Sequence, residues 1–128
     1  MDCHSIVPVL RIFDEAKARE FYIDWLGFKI DFEQRFEEGS PIYMGISLGD
    51  CHIHLSEHHG DGTPGTVIQI YCTGLREFHR TLTKQVYKYY RPSVEDYQWI
   101  QGYICMQVID PFKNVITFLE NEKEDLRG

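Results

Sequence analysis

Apolar and polar positions alternate with two periods along this chain, and the switches between them mark its elements. Residues 6–13 are a β-branched run of strand length. Asp14 follows as an N-cap, with Lys17 rather than an acidic partner at the third helical position. Over residues 15–26 the apolar Ala18, Phe21, Tyr22, Trp25 and Leu26 recur at three- and four-residue spacing, one face of an amphipathic helix. Gly27 stands where a left-handed C-cap is expected. Phe28, Ile30 and Phe32 then alternate with Lys29, Asp31 and Glu33, the period of a half-buried strand. A turn at 37–41, a strand at 42–48, a Gly49-Asp50 hairpin turn and a strand at 51–57 complete a β-α-β-β-β order.

The polar, glycine-rich stretch 58–65 (HHGDGTPG) breaks the chain at its midpoint, and the order then repeats. The pattern predicts a strand at 66–72 and a helix at 74–86 with Leu75, Phe78, Leu82 and Val86 on one face. A short strand at 87–91, a loop at 92–101, a strand at 103–109, a turn at 110–114 and a last strand at 115–120 follow, with a frayed charged tail at 121–128. The expected fold is α+β. Two βαβββ modules, 5–57 and 66–120, lie within one domain spanning 1–128 and form a curved mixed sheet with an open cleft. Function is expected in that cleft.

Composition narrows the classes. With 43% hydrophobic and 26% charged residues, 128 residues suffice for a packed single domain without disulfide staples. No apolar run approaches a membrane span. Twenty acidic against thirteen basic residues, a formal charge of −7, argue against nucleic acid and favour a neutral or cationic ligand. Cys3, Cys51, Cys72 and Cys105 have no CxxC spacing; they read as reduced thiols, and the N-terminus lacks a secretion signal, so a cytoplasmic protein is expected.

Histidine is the first candidate for chemistry. His52 and His54 lie two apart on the fourth strand and share a face, with Ile53 and Leu55 on the other. They read as hydrogen-bonded cleft residues; the alternative is a divalent-metal site built from His52, His54, Glu57 and His58, with His59 and Asp61 nearby. Cys3-His4 and Cys51-His52 point to opposite sides of their strands and form no catalytic dyad. The stretch 60–65 lacks the Lys-Ser/Thr of a phosphate loop. The aromatics Phe32, Tyr43, Tyr71, Trp99 and Tyr103, with Gln69, Gln107 and the two histidines, make an amphipathic ligand pocket.

The opening Ser5-Ile6-Val7-Pro8-Val9-Leu10, the helix closing in Leu26-Gly27-Phe28, and Val108-Ile109-Asp110-Pro111 running on to Asn114 resemble the vicinal-oxygen-chelate superfamily, which groups glyoxalases, bleomycin-resistance proteins and extradiol dioxygenases. Residues 51–65 (CHIHLSEHHGDGTPG) are similar to the fourth strand and connector of its bleomycin-resistance branch. The resemblance implies the paired architecture already read from the pattern and a homodimer with clefts at its interface. It also implies that the metal-ligand positions of the enzyme members fall at Val7, His54, Val67 and Thr117, of which His54 alone carries a metal donor. The glyoxalase proton-transfer carboxylate is missing at Thr117. Two departures stand out: Lys113 where relatives carry glycine, which places a non-glycine residue in a strained turn, and Gln101-Gly102 where they carry Trp-Gly, with Trp99 two residues earlier.

Together these features lead to an expected non-catalytic binding protein without a cofactor or bound metal. It would capture a small aromatic or cationic molecule by stacking and act by sequestration, as an antibiotic-resistance protein does. The homodimer would exchange its N-terminal strand, which Pro8 stiffens. The alternative is a metal-dependent glyoxalase- or dioxygenase-type enzyme using the histidine set, and a third is an assembly partner with a vestigial cleft.

Overall fold

A computed structural model describes residues 1–85 and 91–125. The chain divides into two compact units: Met1–Thr66 with the turn Pro111–Asn114, and Val67–Asp110 with the residues from Val115 onward.

The first unit holds β1 (Val9–Arg11), helix α1 (Glu15–Ala18) continued by a π-helical segment (Arg19–Trp25), β2 (Lys29–Gln34), β3 (Tyr43–Leu48) and β4 (Cys51–Ser56). Its sheet runs β1-β4-β3-β2, with β1 parallel to β4 and the other pairs antiparallel. The first strand is shorter than the apolar run predicted, because residues 1–7 are exposed and the ladder begins where the His54 N–H donates to the Pro8 carbonyl at 2.9 Å. Asp14 caps the helix as expected, its Oδ1 accepting from the Lys17 N–H at 3.0 Å. The predicted apolar stripe is buried in full, yet its second half is wound as π-helix, with the Leu26 N–H bonding to the Phe21 carbonyl five residues back. Gly27 follows at φ 87°, and Phe28 returns to pack edge-on against Tyr22.

Leu10, Met44, Ile46, Ile53 and Leu55 bury one face of this sheet. Here the simple alternation predicted for β2 fails. Ile30 pairs with Ile46, but the next partner of β3, Gly45, pairs with Phe32, so Asp31 is an extra residue, a β-bulge. From that point every side chain of β2 changes face. Phe32 leaves the row of Phe28 and Ile30 and joins the opposite face beside Gly45, while Glu33 turns to the core side, where it meets Arg19.

The second unit holds β5 (Val67–Tyr71), α2 (Leu75–Thr83), β6 (Val94–Asp96), β7 (Tyr103–Ile109), β8 (Val115–Asn121) and a short α3 (Glu122–Asp125). Its sheet runs β5-β8-β7-β6, with β5 parallel to β8. Strand β6 falls inside the stretch predicted as loop 92–101, and α3 falls in the tail predicted to fray. Helix α2 ends at Thr83 with Lys84 as its C-cap, before the end predicted at Val86, and the short strand predicted at 87–91 lies outside the described residues, Arg91 excepted. Gly74, at φ 78°, offers no side-chain cap to α2. The nearly buried Glu120 supplies one from β8, its carboxylate accepting from Leu75 N at 2.9 Å and Gly74 N at 3.2 Å. Two four-stranded mixed sheets with few helices make the fold α+β, as expected.

Lys113 adopts φ 75°, the strained turn that the family resemblance implied for this position. Beside it the fully buried Asn114 ties the first unit together: its Nδ2 donates to the Arg11 carbonyl at 2.9 Å and its Oδ1 accepts from Thr66 N at 3.1 Å.

At the helix side of the first unit Glu15 accepts from Arg19 at 2.7 Å and from Arg35 at 2.9 Å. The Arg35 hydrogen bond, reinforced by Arg19 and opposed by burial, holds the Glu15 carboxyl below the usual glutamate range. A carboxyl lowered on folding contributes stability that is present above its unfolded pKa and lost as pH falls through the folded one. Glu15→Gln is therefore expected to cost roughly 0.5–1 kcal/mol near neutrality, since the cluster is partly exposed, and to remove this share of the acid-side loss. Urea unfolding at pH 7 and pH 3 checks it; a variant as stable as the parent at pH 7 contradicts it.

Candidate functional site

The nine residues singled out from sequence divide between the units, and each group is described within its own unit. Phe32, Tyr43, His52 and His54 lie in the first, all on the face opposite the core. The antiparallel β3–β4 ladder sets Gly45 against His54 and Ser47 against His52, and the bulge brings Phe32 alongside Gly45. Three of the four form one ring cluster. Phe32 and Tyr43 are stacked with centroids 6.3 Å apart, and His54 meets both edge-on, at 5.2 Å from Phe32 and 5.3 Å from Tyr43.

Gly45 is what makes the cluster close. A Cβ there would lie 2.2 Å from Cε2 of Phe32, so the ring occupies the space a side chain would take. Phe32 still keeps 41% of its surface exposed. The Tyr43 hydroxyl sits 2.7 Å from His54 Nδ1. Burial, aided by the Asp61 charge, pushes the Tyr43 phenol above its usual range, so it keeps its proton. When Tyr43 donates that proton, His54 is the tautomer that presents Nε2–H outward.

His52 stands apart from the rings. It is more than half exposed and faces Asp31, 3.6 Å from Oδ2. Asp31 also accepts from the Ser47 hydroxyl at 3.1 Å and lies 3.9 Å from Lys29 Nζ. Strict alternation would place Asp31 on the face of His52 and Phe32 on the other; the bulge keeps both on one side.

Gln69, Tyr71, Trp99, Tyr103 and Gln107 lie in the second unit. The ladder aligns Gln69, Thr117 and Gln107 across three strands, with Gln107 Nε2 donating to Thr117 Oγ1 at 3.2 Å. Tyr71 and Tyr103 meet edge-on at 6.1 Å. Tyr97, which sequence reasoning missed, joins this group through its hydroxyl, which accepts from Gln69 Nε2 at 3.2 Å. Trp99 lies in the segment between β6 and β7 and is 76% exposed.

The alternative metal set does not assemble. His54 Nδ1 faces Tyr43, and Glu57 Oε1 accepts from the Ile42 N–H at 3.1 Å. Asp61, also a candidate donor in the sequence, accepts from the Ser56 hydroxyl at 2.8 Å. Among the described residues no three His, Cys, Asp or Glu side chains are placed to share an ion. A cavity of about 270 Å³ borders Tyr43, lined also by Gln34, Arg35, Phe36, His58 and Asp61. Among the described residues no helix is long and apolar enough to cross a membrane.

A family model described as Glyoxalase superfamily protein matches residues 1–125. The chain belongs to the glyoxalase superfamily. No curated protein matches it by sequence. Solved structures similar to this superfamily member include a bleomycin-binding protein complexed with bleomycin, at 22% identity and a TM-score of 0.70, covering 94% of this chain and 100% of that one. A bleomycin resistance determinant encoded on the transposon Tn5 matches at 23% identity and a TM-score of 0.70, covering 94% and 99%. The bleomycin-binding protein from bleomycin-producing Streptomyces verticillus, complexed with copper(II)-bleomycin, matches at 26% identity and a TM-score of 0.66, covering 92% and 96%. The family and fold expected from the sequence are thus the ones found.

The resemblance implies a metal in the enzyme members, and the residues at the implied positions do not fit one in either unit. The first unit carries hydrocarbon at Val7 and an imidazole engaged by Tyr43 at His54; the second carries hydrocarbon at Val67 and, at Thr117, a hydroxyl that accepts from Gln107.

If Gly45 holds the ring cluster together, Gly45→Ala must expel Phe32. The expected result is a loss of about 1–3 kcal/mol, the usual cost of overpacking, with the Phe32 ring resonances moving away from His54 in proton NMR. Unchanged ring shifts in a folded variant would contradict the packing.

Proposed function

We propose that this chain is a bleomycin-resistance-like binding protein that captures a small planar aromatic molecule, of the antibiotic kind, and acts by sequestration rather than by turnover. The observation that carries this reading is the exposed ring cluster of Phe32, Tyr43 and His54, with Phe32 laid over Gly45. Three rings fixed in advance lose little entropy when a fourth stacks on them. A surface charge of −7 favours cationic ligands in the encounter. Membership of the superfamily and likeness to proteins that bind bleomycin support the same reading.

Under this proposal His52 in the first unit and, within the second, Gln69, Tyr71, Trp99, Tyr103 and Gln107 are also ligand-binding residues, and no catalytic metal takes part. The working form is a homodimer with the cleft at its interface, built by exchange of the N-terminal strand. Exposed residues 1–7, carrying Ile6 and Val7 ahead of the Pro8 carbonyl that joins β4, support this assembly. A cytoplasmic setting accords with cysteines held in the thiol form.

Two measurements test the proposal. Untagged protein titrated with bleomycin and with a panel of planar aromatics is expected to bind at least one of them, and Phe32→Ala to weaken that binding by about 3- to 10-fold, the worth of one ring contact. Absence of binding across the panel, or full affinity in Phe32→Ala, would sink it. For the assembly, Pro8→Ala is expected to shift sedimentation toward monomer at low concentration, and an unchanged profile would refute the exchanged arm.

A further inference from the structure

The cavity beside the ring cluster is lined by an acidic and a basic side chain, Asp61 and Arg35, that are partnered very differently. Arg35 is already compensated: its Nη2 reaches Glu15 Oε1 at 2.9 Å and its Nη1 donates to the Ser40 carbonyl at 3.3 Å. Glu15 in turn holds Arg19, which bonds Glu33, so these four charges cancel. Asp61 has no such partner. Its Oδ2 accepts from the neutral Ser56 hydroxyl at 2.8 Å, and among the described residues no Lys, Arg or His nitrogen lies within ion-pairing distance of it. A half-buried carboxylate with no direct ion pair can accept one from a ligand, although Arg35 lines the same cavity and Arg11 donates to the neighbouring His58 carbonyl. The Tyr43 phenol, in the same wall, feels that charge.

The other walls suit the same ligand. Tyr43 belongs to both the ring cluster and the cavity, and the Phe36 ring is almost fully exposed at the rim. Aromatic faces beside a lone carboxylate attract an organic cation through the ring quadrupole as well as through the ion pair. Gln34 adds an amide able to accept from an N–H.

We propose that this cavity is an ammonium subsite: it takes a protonated amine arm, paired with Asp61, of a ligand whose planar ring lies on Phe32, Tyr43 and His54. The assignment rests on the aromatic-capture reading and narrows the ligand class to aryl-alkyl amines.

The test uses probes that share one ring. Tryptamine, 3-methylindole and indole-3-propionate are titrated calorimetrically against the full chain and against Asp61→Asn, which keeps an oxygen for the Ser56 hydroxyl. Tryptamine is expected to bind the parent about tenfold more tightly than 3-methylindole, the worth of one charge-assisted hydrogen bond. Asp61→Asn should abolish that advantage and leave 3-methylindole unchanged. Equal binding of the two, or an advantage that survives Asp61→Asn, overturns the subsite while aromatic capture stands. Should the variant not fold, the parent alone decides, because binding of indole-3-propionate as tight as that of tryptamine overturns the subsite. If no probe binds, the subsite falls, while aromatic capture is decided by the bleomycin and planar-aromatic panel.

Discussion

One extra residue in β2 governs the face on which the proposed site stands. A strand that alternates strictly would send Phe32 into the core beside Phe28 and Ile30, and would turn Glu33 away from Arg19. The bulge at Asp31 reverses both. It places an aromatic ring over Gly45, within reach of Tyr43 and His54, and it delivers a carboxylate to the helix-side cluster of Glu15, Arg19 and Arg35. Ring cluster and charge cluster therefore depend on the same backbone irregularity. Gly45 is its complement across the ladder, since any larger residue would fill the place of the ring.

The two units share an order of elements but differ in what their polar faces carry. In the first, rings and imidazole dominate; in the second, an amide-hydroxyl-amide row of Gln69, Thr117 and Gln107 runs across the strands, with tyrosines beside it. Helix capping also differs. Asp14 caps its own helix locally, whereas α2 begins at a glycine and borrows Glu120 from the last strand. A local cap stabilises one helix. A cap from a distant strand also fixes how that helix lies on its sheet.

Much of this was legible in the chain. The apolar stripe of residues 15–26, the Asp14 cap, the Gly27 stop and the shared face of His52 and His54 follow from periodicity and steric rules, the strained Lys113 follows from the family resemblance, and all are found. What escaped depends on interactions between distant residues. Period-two patterning marks Asp31 and Phe32 as ordinary alternating positions, because a bulge is decided by the partner strand. The π winding of Arg19–Trp25 leaves the same residues buried, so spacing cannot reveal it. Strand β6 is three residues long and paired on one side, too short to announce itself in a polar loop. Glu57 and Asp61 look like metal donors in sequence, yet a carboxylate oxygen of each is taken, by the Ile42 N–H and the Ser56 hydroxyl.

The most direct measurement is of where the Phe32 ring lies in solution. Nuclear Overhauser contacts from its ring protons should appear to the Gly45 Hα protons and the His54 imidazole, at the short separations that the bulged register imposes. Contacts from Phe32 to Phe28 and Ile30, with none to Gly45, would mean an unbroken strand, and the ring cluster on which the proposed capture of an aromatic molecule rests would not exist.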